Sequence, residues 1–331
     1  MYNLGFTGQA GYDDRVTGQF GPPITGMNMT DIAIRSGVTA GGAVPIAYED
    51  WGDEHAPALL MIMGIGAQML LWPDDFCRAL VKRGLRVIRF DNRDVGLSGK
   101  TQGRRSLPLW RLILRAQLGW QTPVPYSLAD MAADAVQVLD ELQIARAHVL
   151  GGSMGGMIAQ VLAAEYPQRV RSLSILFSST NQPLLPPPAP SLLYLLLKKP
   201  AVGSVEQQQA YIKAHLRKIA SQAYPMDEHE LDATVERICA RGVDSEGLQR
   251  QLSALLGSGD LRRYSRRIQA PTLVIHGSAD RLVRKAGGVA VARAIPNARL
   301  QIIADMGHDL PQPLRPQLAE MIAKHALAAG D

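Results

Sequence analysis

Gly151-Gly152-Ser153-Met154-Gly155 is the strongest chemical signal in this chain. A short strand pattern at 147–150 leads into it and a helical pattern beginning at Met154 leads out, so the serine sits at a strand–turn–helix junction. Such a turn is sharp enough to strain the serine backbone, and the residues two positions away on each side must be small. Gly151 and Gly155 satisfy this, and Gly152 and Gly156 relax the turn further. The hydroxyl then projects above a sheet at a helix N-terminus, which favours negative charge. The competing reading, a phosphate-binding loop, would need a Gly-Lys-Ser/Thr ending or GxGxxG spacing, and neither is present.

A lone serine is a weak nucleophile and needs a base oriented by a third group. Asp280 follows a strand expected at 272–276, and His308 follows one at 300–303. Both therefore fall on loops at the carboxyl ends of strands, the same edge as Ser153. Among the other histidines, His55, His215, His229 and His325 precede that edge or lie in helical patterns, and His148 is inside a strand. His276 ends a strand close to Asp280 and is the one serious rival. Asp305 and Asp309 rival Asp280, although both are very near His308 in sequence. An acyl transfer also needs N–H donors for the oxyanion. Met154, directly after the serine, supplies one, and Ile65 in the loop Met63-Gly64-Ile65-Gly66-Ala67-Gln68 is the expected second. The two glycines of that loop are equally explained as plain turn residues.

The elements that must position these residues alternate. Strands are expected at 32–34, 44–48, 58–63, 86–90, 147–150, 170–177, 272–276 and 300–303, with helices at 73–83, 128–142, 154–166 and 315–328 between or after them. Ser127, with Asp130 three residues on, caps the second of those helices. This rhythm implies a mostly parallel sheet with helices on both faces. Residues 181–267 break it, open on Pro186-Pro187-Pro188 and are helical in pattern, so they read as a cap inserted between two core segments, 29–180 and 268–331. The leucines at 184, 185, 192, 193, 195 and 196 with Tyr194 are expected either to face an apolar substrate group or to pack the cap on the core. Lys100 to Pro125, with Trp110 and Trp120, is a second candidate for the roof. Residues 1–28 read as a flexible N-terminal extension.

Taken together, Met63-Gly64-Ile65-Gly66, Trp72-Pro73, Phe90-Asp91-Asn92-Arg93-Asp94-Val95-Gly96-Leu97-Ser98 and Gly151 to Gly156 resemble the α/β-hydrolase superfamily, in particular the esterase branch that includes the aclacinomycin methylesterases. The resemblance covers about 30–177 and 268–328. It implies the α/β-hydrolase fold with a helical cap and no cofactor, and assigns Ser153 as nucleophile, Asp280 as acid, His308 as base, and Ile65 and Met154 as oxyanion donors. Arg93 is expected to pin its loop and not to take part in chemistry. Met63-Gly64 replaces the His-Gly of many hydrolases. Ser153 stands where epoxide hydrolases and haloalkane dehalogenases carry Asp, which disfavours both chemistries.

Composition bounds the partners. The 331 residues are 47% hydrophobic and 20% charged with net charge +5, ordinary for a globular protein. The basic residues form scattered pairs, such as Arg262-Arg263 and Arg266-Arg267, so nucleic-acid binding is not expected. Two cysteines, Cys77 and Cys239, make no metal or disulfide pattern, no apolar run is long enough for a membrane span, and a secretory signal is not expected from the Gly- and Asp-rich opening residues. The expectation is a cytoplasmic serine esterase acting on a small-molecule ester without metal or cofactor. The same triad on lactones, C–C bonds or aminoacyl amides is the first alternative. A non-catalytic receptor of the same fold is the second.

Overall fold

The computed structural model describes residues 32–102, 107–192 and 204–330. An eight-stranded sheet runs through it: β1 (Ile34–Val38), β2 (Ala47–Trp51), β3 (Ala58–Ile62), β4 (Arg86–Phe90), β5 (Ala147–Gly152), β6 (Val170–Leu176), β7 (Thr272–Gly277) and β8 (Arg299–Ile303). Its spatial order is β1-β2-β4-β3-β5-β6-β7-β8. β2 pairs antiparallel with both β1 and β4, and every pairing from β4 to β8 is parallel. All parallel strands thus end on one edge.

The strands match the sequence expectation closely except at the antiparallel end, where β1 and β2 begin two or three residues later than expected. Val38 pairs with Ala47 and Ile34 with Trp51. The pairing carries Arg35, Ser36, Glu49 and Asp50 into the hairpin, polar residues whose strand character is set by partners: Asp50 accepts from both Arg35 and Arg86 at 2.9 Å.

Side chains alternate across the parallel strands and build one core on each face. Leu60 and Ile62 of β3 pack with α3 (Leu128–Glu141) and α4 (Met154–Glu165). Leu59 and Met61 point the other way, to α1 (Asp74–Val81) and the closing helix Arg315–Ala328. The Ser127 side chain accepts from the Asp130 N–H while Asp130 accepts from the Ser127 N–H, the expected capping box. Arg93 is bound to Asp134 of α3 at 2.6 Å, in the pinning role foreseen for it. A helix α2 (Leu109–Gln117), not anticipated, lies in the second roof segment, but Trp110 and Trp120 are exposed there and neither lines the cavity described below.

Between β6 and β7 the chain forms α5 (Val205–Ile219), α6 (Glu228–Ala240), α7 (Ser245–Gly257) and the short α8 (Arg262–Ser265). A further helix missed in the sequence, α9 (Lys285–Ala294), follows β7, and α10 is the closing Arg315–Ala328. Residues 1–28 and the leucines at 193, 195, 196 and 197 lie outside the described residues.

Candidate active site

Ser153 stands between β5 and α4 with φ 55° and ψ −122°, a left-handed backbone that a side chain tolerates at a cost of about 1–3 kcal/mol. Its surroundings over-determine that conformation. The Ser153 N–H donates to Leu176 O at 3.0 Å, and Ser153 O accepts from the Ser178 hydroxyl at 2.6 Å and from Gly156 N–H at 3.0 Å. A Cβ on Gly151 would run into the Gly155 carbonyl, and one on Gly155 into the Ile62 carbonyl. The small residues demanded by the turn are therefore demanded by contact with α4 and β3.

His308 lies after β8 and Asp280 after β7. His308 Nδ1 donates to Asp280 Oδ2 at 2.7 Å, and this bond fixes the tautomer that leaves Nε2 free to act as a base. Asp280 is 3% exposed, and its other oxygen accepts from the N–H groups of Leu282 and Val283 at 2.9 Å each. The Phe177 ring packs against the imidazole at 4.7 Å between centroids. His276, the sequence rival, sits behind Asp280. Its Nε2 donates to Val283 O at 2.8 Å, its ring is fully buried, and burial holds its pKa below the ordinary value. It does not line the cavity that Ser153 and His308 share.

Of the rival acids, Asp309 is occupied elsewhere and Asp305 is exposed. Asp309 accepts from the Ser221 N–H at 3.0 Å and the Ser221 hydroxyl at 2.5 Å, and burial pushes its pKa up. The Asp305 N–H donates to the Ser278 hydroxyl, with Asp305 in a left-handed turn. Ser221 was not anticipated. It follows α5 and also accepts from Gly307 N–H, while His308 N–H donates to Ile219 O at 3.0 Å. The histidine loop is thereby held by the inserted helices, a contact with no local sequence signal.

The loop after β3 closes on the serine. A Cβ on Gly64 would lie 3.0 Å from Ser153 Cβ and 3.4 Å from its hydroxyl. In that loop the N–H groups of Gly66 and Ala67 are already bonded, to Gln251 and to Gly64 O. The Ile65 N–H lies next to them in the same turn. Met154 N–H belongs to the first turn of α4, where N–H groups have no intrahelical partner.

Ser153 and His308 open into a cavity of about 310 Å³, roofed by Tyr211, His215, Leu216, Ile219, Leu231, Ile238, Leu248 and Leu252 of α5 to α7. Of the two readings of the leucine cluster, its described members do not support the substrate-facing one: Leu184, Leu185 and Leu192 do not line the cavity, Leu184 being exposed and Leu192 packed away. The prolines around them direct that segment along the rim behind Asp280 instead. Burial, and then the nearby His308, hold the His215 pKa below its usual value. Among the described residues no group of His, Cys, Asp and Glu could hold a metal ion, and no helix is long and apolar enough to cross a membrane.

Comparison with known proteins agrees with this architecture. The α/β-hydrolase fold family matches residues 57–217. The rhodomycin D methylesterase of Streptomyces peucetius is 28% identical over 310 residues, covering 86% of this chain and 96% of that protein. The 2-hydroxy-6-oxononadienedioate/2-hydroxy-6-oxononatrienedioate hydrolase of Cupriavidus pinatubonensis is 33% identical over 178 residues, 52% of this chain and 58% of that one. In structure, the enol-lactonase of Burkholderia xenovorans superposes with a TM-score of 0.64 at 22% identity, over 88% of this chain and 99% of that one. The chain is a hydrolase of the α/β-hydrolase fold, resembling the esterase branch to which the aclacinomycin methylesterases belong.

Proposed function

We propose that this chain is a serine esterase that cleaves carboxylic esters of small molecules through Ser153, His308 and Asp280. The observation that carries the reading is the pairing of a strained, cavity-facing Ser153 with an imidazole whose Nδ1–H is committed to the buried Asp280. His308 Nε2 takes the Ser153 proton as Oγ attacks the ester carbonyl. The N–H groups of Ile65 and Met154 receive the oxyanion. The proton passes to the departing alcohol, and a water deprotonated by His308 then hydrolyses the acyl-enzyme. Every group needed is a side chain or a backbone amide, so the reaction calls on no metal or cofactor.

Residues 29–180 and 268–331 act as the catalytic core and 181–267 as the cap over it. The apolar roof suits an apolar acyl or alcohol group, and the methylesterase similarity makes a methyl ester the first substrate to try. The cytoplasm suits two free cysteines, of which Cys77 is buried with its thiol pushed up to about 12.

A fluorophosphonate probe should label Ser153 in the native chain. Ser153→Ala should abolish labelling and lower ester turnover by on the order of 10⁶-fold. Retention of more than a trace of turnover by the folded variant would rule the serine out. The similarity to a C–C bond hydrolase supports a second reading with the same three residues. Faster turnover of a vinylogous 1,5-diketone than of any ester in a parallel panel would favour it.

A further inference from the structure

Gln251 projects from α7 of the inserted segment, is fully buried, and joins two loops of the core. Its Oε1 accepts from the Gly66 N–H at 2.7 Å, and its Nε2 donates to Arg93 O at 2.8 Å. One partner is a donor and the other an acceptor, so only this amide orientation satisfies both. On the far side, Arg93 O belongs to a residue anchored through its guanidinium to Asp134. Gln251 is therefore held at one end by a fixed point of the core and presses with the other on the loop next to Ser153.

The contact falls on the most changeable peptide of that loop. Ala67 N–H donates to Gly64 O, which makes 64–67 a β-turn with Ile65 and Gly66 at its centre. Gly66 has φ +63° while Ile65 is not left-handed, the pattern of a type II turn. Types I and II differ by a flip of the central peptide, whose N–H is that of Gly66. The Gln251 carbonyl accepts that N–H, and Leu248, one helical turn earlier on α7, packs so closely that a Cβ on Gly66 would lie 2.6 Å from its Cδ1. Release of the peptide would turn the backbone on the C-terminal side of Ile65, the expected oxyanion donor, whose neighbour Gly64 lies against Ser153.

We propose that Gln251 is a positioning residue for the oxyanion donor at Ile65, so that the inserted segment, besides roofing the cavity, sets the geometry of the core's own anion-binding site. This rests on the serine-hydrolase reading above. It separates two duties within one helix. Leu248 and Leu252 contact the space a substrate would fill, in ground and transition states alike, whereas Gln251 touches no substrate and acts only where charge develops on the carbonyl oxygen.

The test uses Gln251→Met, close in size but unable to make either bond, and Gln251→Glu, measured on p-nitrophenyl acetate and by the rate of fluorophosphonate labelling. Loss of a well-placed oxyanion donor costs on the order of 10²–10³ in kcat. Displacement of one in Gln251→Met should cost roughly 10–100-fold in kcat, with KM within about twofold and the labelling rate falling in parallel. In Gln251→Glu a protonated carboxyl can accept from Gly66 and donate to Arg93 as the amide does, and an ionised one cannot. Its activity relative to the native chain should therefore climb as pH falls from 8 to 5. Unchanged kcat in Gln251→Met, or a change confined to KM and melting temperature, would reduce Gln251 to a packing residue. Should Gln251→Met fail to fold, a flat activity ratio against pH in Gln251→Glu overturns the proposal on its own. Failure of the native chain to react with the fluorophosphonate would reject the serine-hydrolase reading itself, an outcome distinct from normal labelling that is indifferent to Gln251.

Discussion

Asp280 has two oxygens and divides them. One binds the N–H groups of Leu282 and Val283, which fix the carboxylate in its own turn, and the other is left for His308. His276 approaches that second oxygen to 3.5 Å but spends its Nε2–H on Val283 O, so it supports the turn without competing for the carboxylate. On the proposed mechanism, Asp280→Asn keeps a hydrogen-bonding group in place but favours the wrong imidazole tautomer, and kcat should fall by about 10⁴-fold. Asp309→Asn removes a charge from the Ser221 contact and should weaken the histidine loop, with a far smaller loss of kcat and a lower melting temperature. Steady-state kinetics on the two variants decides between the acids: a nearly silent Asp280→Asn beside a severe Asp309→Asn would move the role to Asp309.

On the proposed function, substrate choice belongs to the helices. α5 contributes no buried residue, yet its Tyr211, His215, Leu216 and Ile219 form one side of the cavity, with α6 and α7 opposite. Shortening a roof side chain adds space next to the acyl or alcohol group, and a methylene in such a pocket is worth about 1–3 kcal/mol. Leu216→Ala or Leu252→Ala should therefore shift the preference from short toward long acyl chains by roughly 10–200-fold, with kcat on an acetate ester little changed. Leu192→Ala is the control. That leucine is 2% exposed but is not part of the cavity lining, so its truncation should cost about 2–5 kcal/mol of stability and leave the chain-length profile unaltered. Identical profiles in all three variants would mean that the roof packs without selecting.

The stability of the whole molecule should depend on pH through its buried imidazoles. His325 on α10 shows the cause most plainly. Its Nδ1 accepts from Arg299 at 3.0 Å, which leaves the proton on Nε2, and that N–H is shared between Leu173 O and Pro271 O at 3.1 Å each. Burial, with the adjacent Arg299 charge, holds its pKa below the ordinary value, as burial does for His276. In the unfolded chain an imidazole gains its proton near pH 6.5. Below that pH the unfolded state therefore binds more protons than the folded one, and stability is lost as pH falls from about 6.5 toward the depressed folded values. Asp134 and Asp309, whose pKa values burial raises, act in the opposite sense from about pH 4 upward, so the native curve alone mixes both. The difference in melting temperature between native and His325→Gln chains isolates the imidazole. The variant should lose less than the native chain between pH 7 and 5, and parallel curves would refute the assignment.

Local pattern settled much of this protein before any long-range contact was known. Apolar runs of strand length separated by amphipathic helices dictate a parallel sheet covered on both faces, and glycines flanking Ser153 are required by a turn whose neighbours are α4 and β3. Both are properties of short segments, legible because the period of burial and the volume of a Cβ are local. The same logic brought Ser153, Asp280 and His308 to one sheet edge, since each follows a strand of common direction. What tertiary structure decided is the pairing of partners far apart in sequence: Asp280 over Asp309 for the imidazole, Ser221 for the histidine loop, and Gln251 for the turn at Gly66. The polar hairpin of β1 and β2 and the choice of roof residues are of the same kind, because a side chain such as Leu192 or Leu252 is equally apolar whether it faces a cavity or the core. Periodicity records that a residue is to be buried, and only the packing of distant helices determines against what.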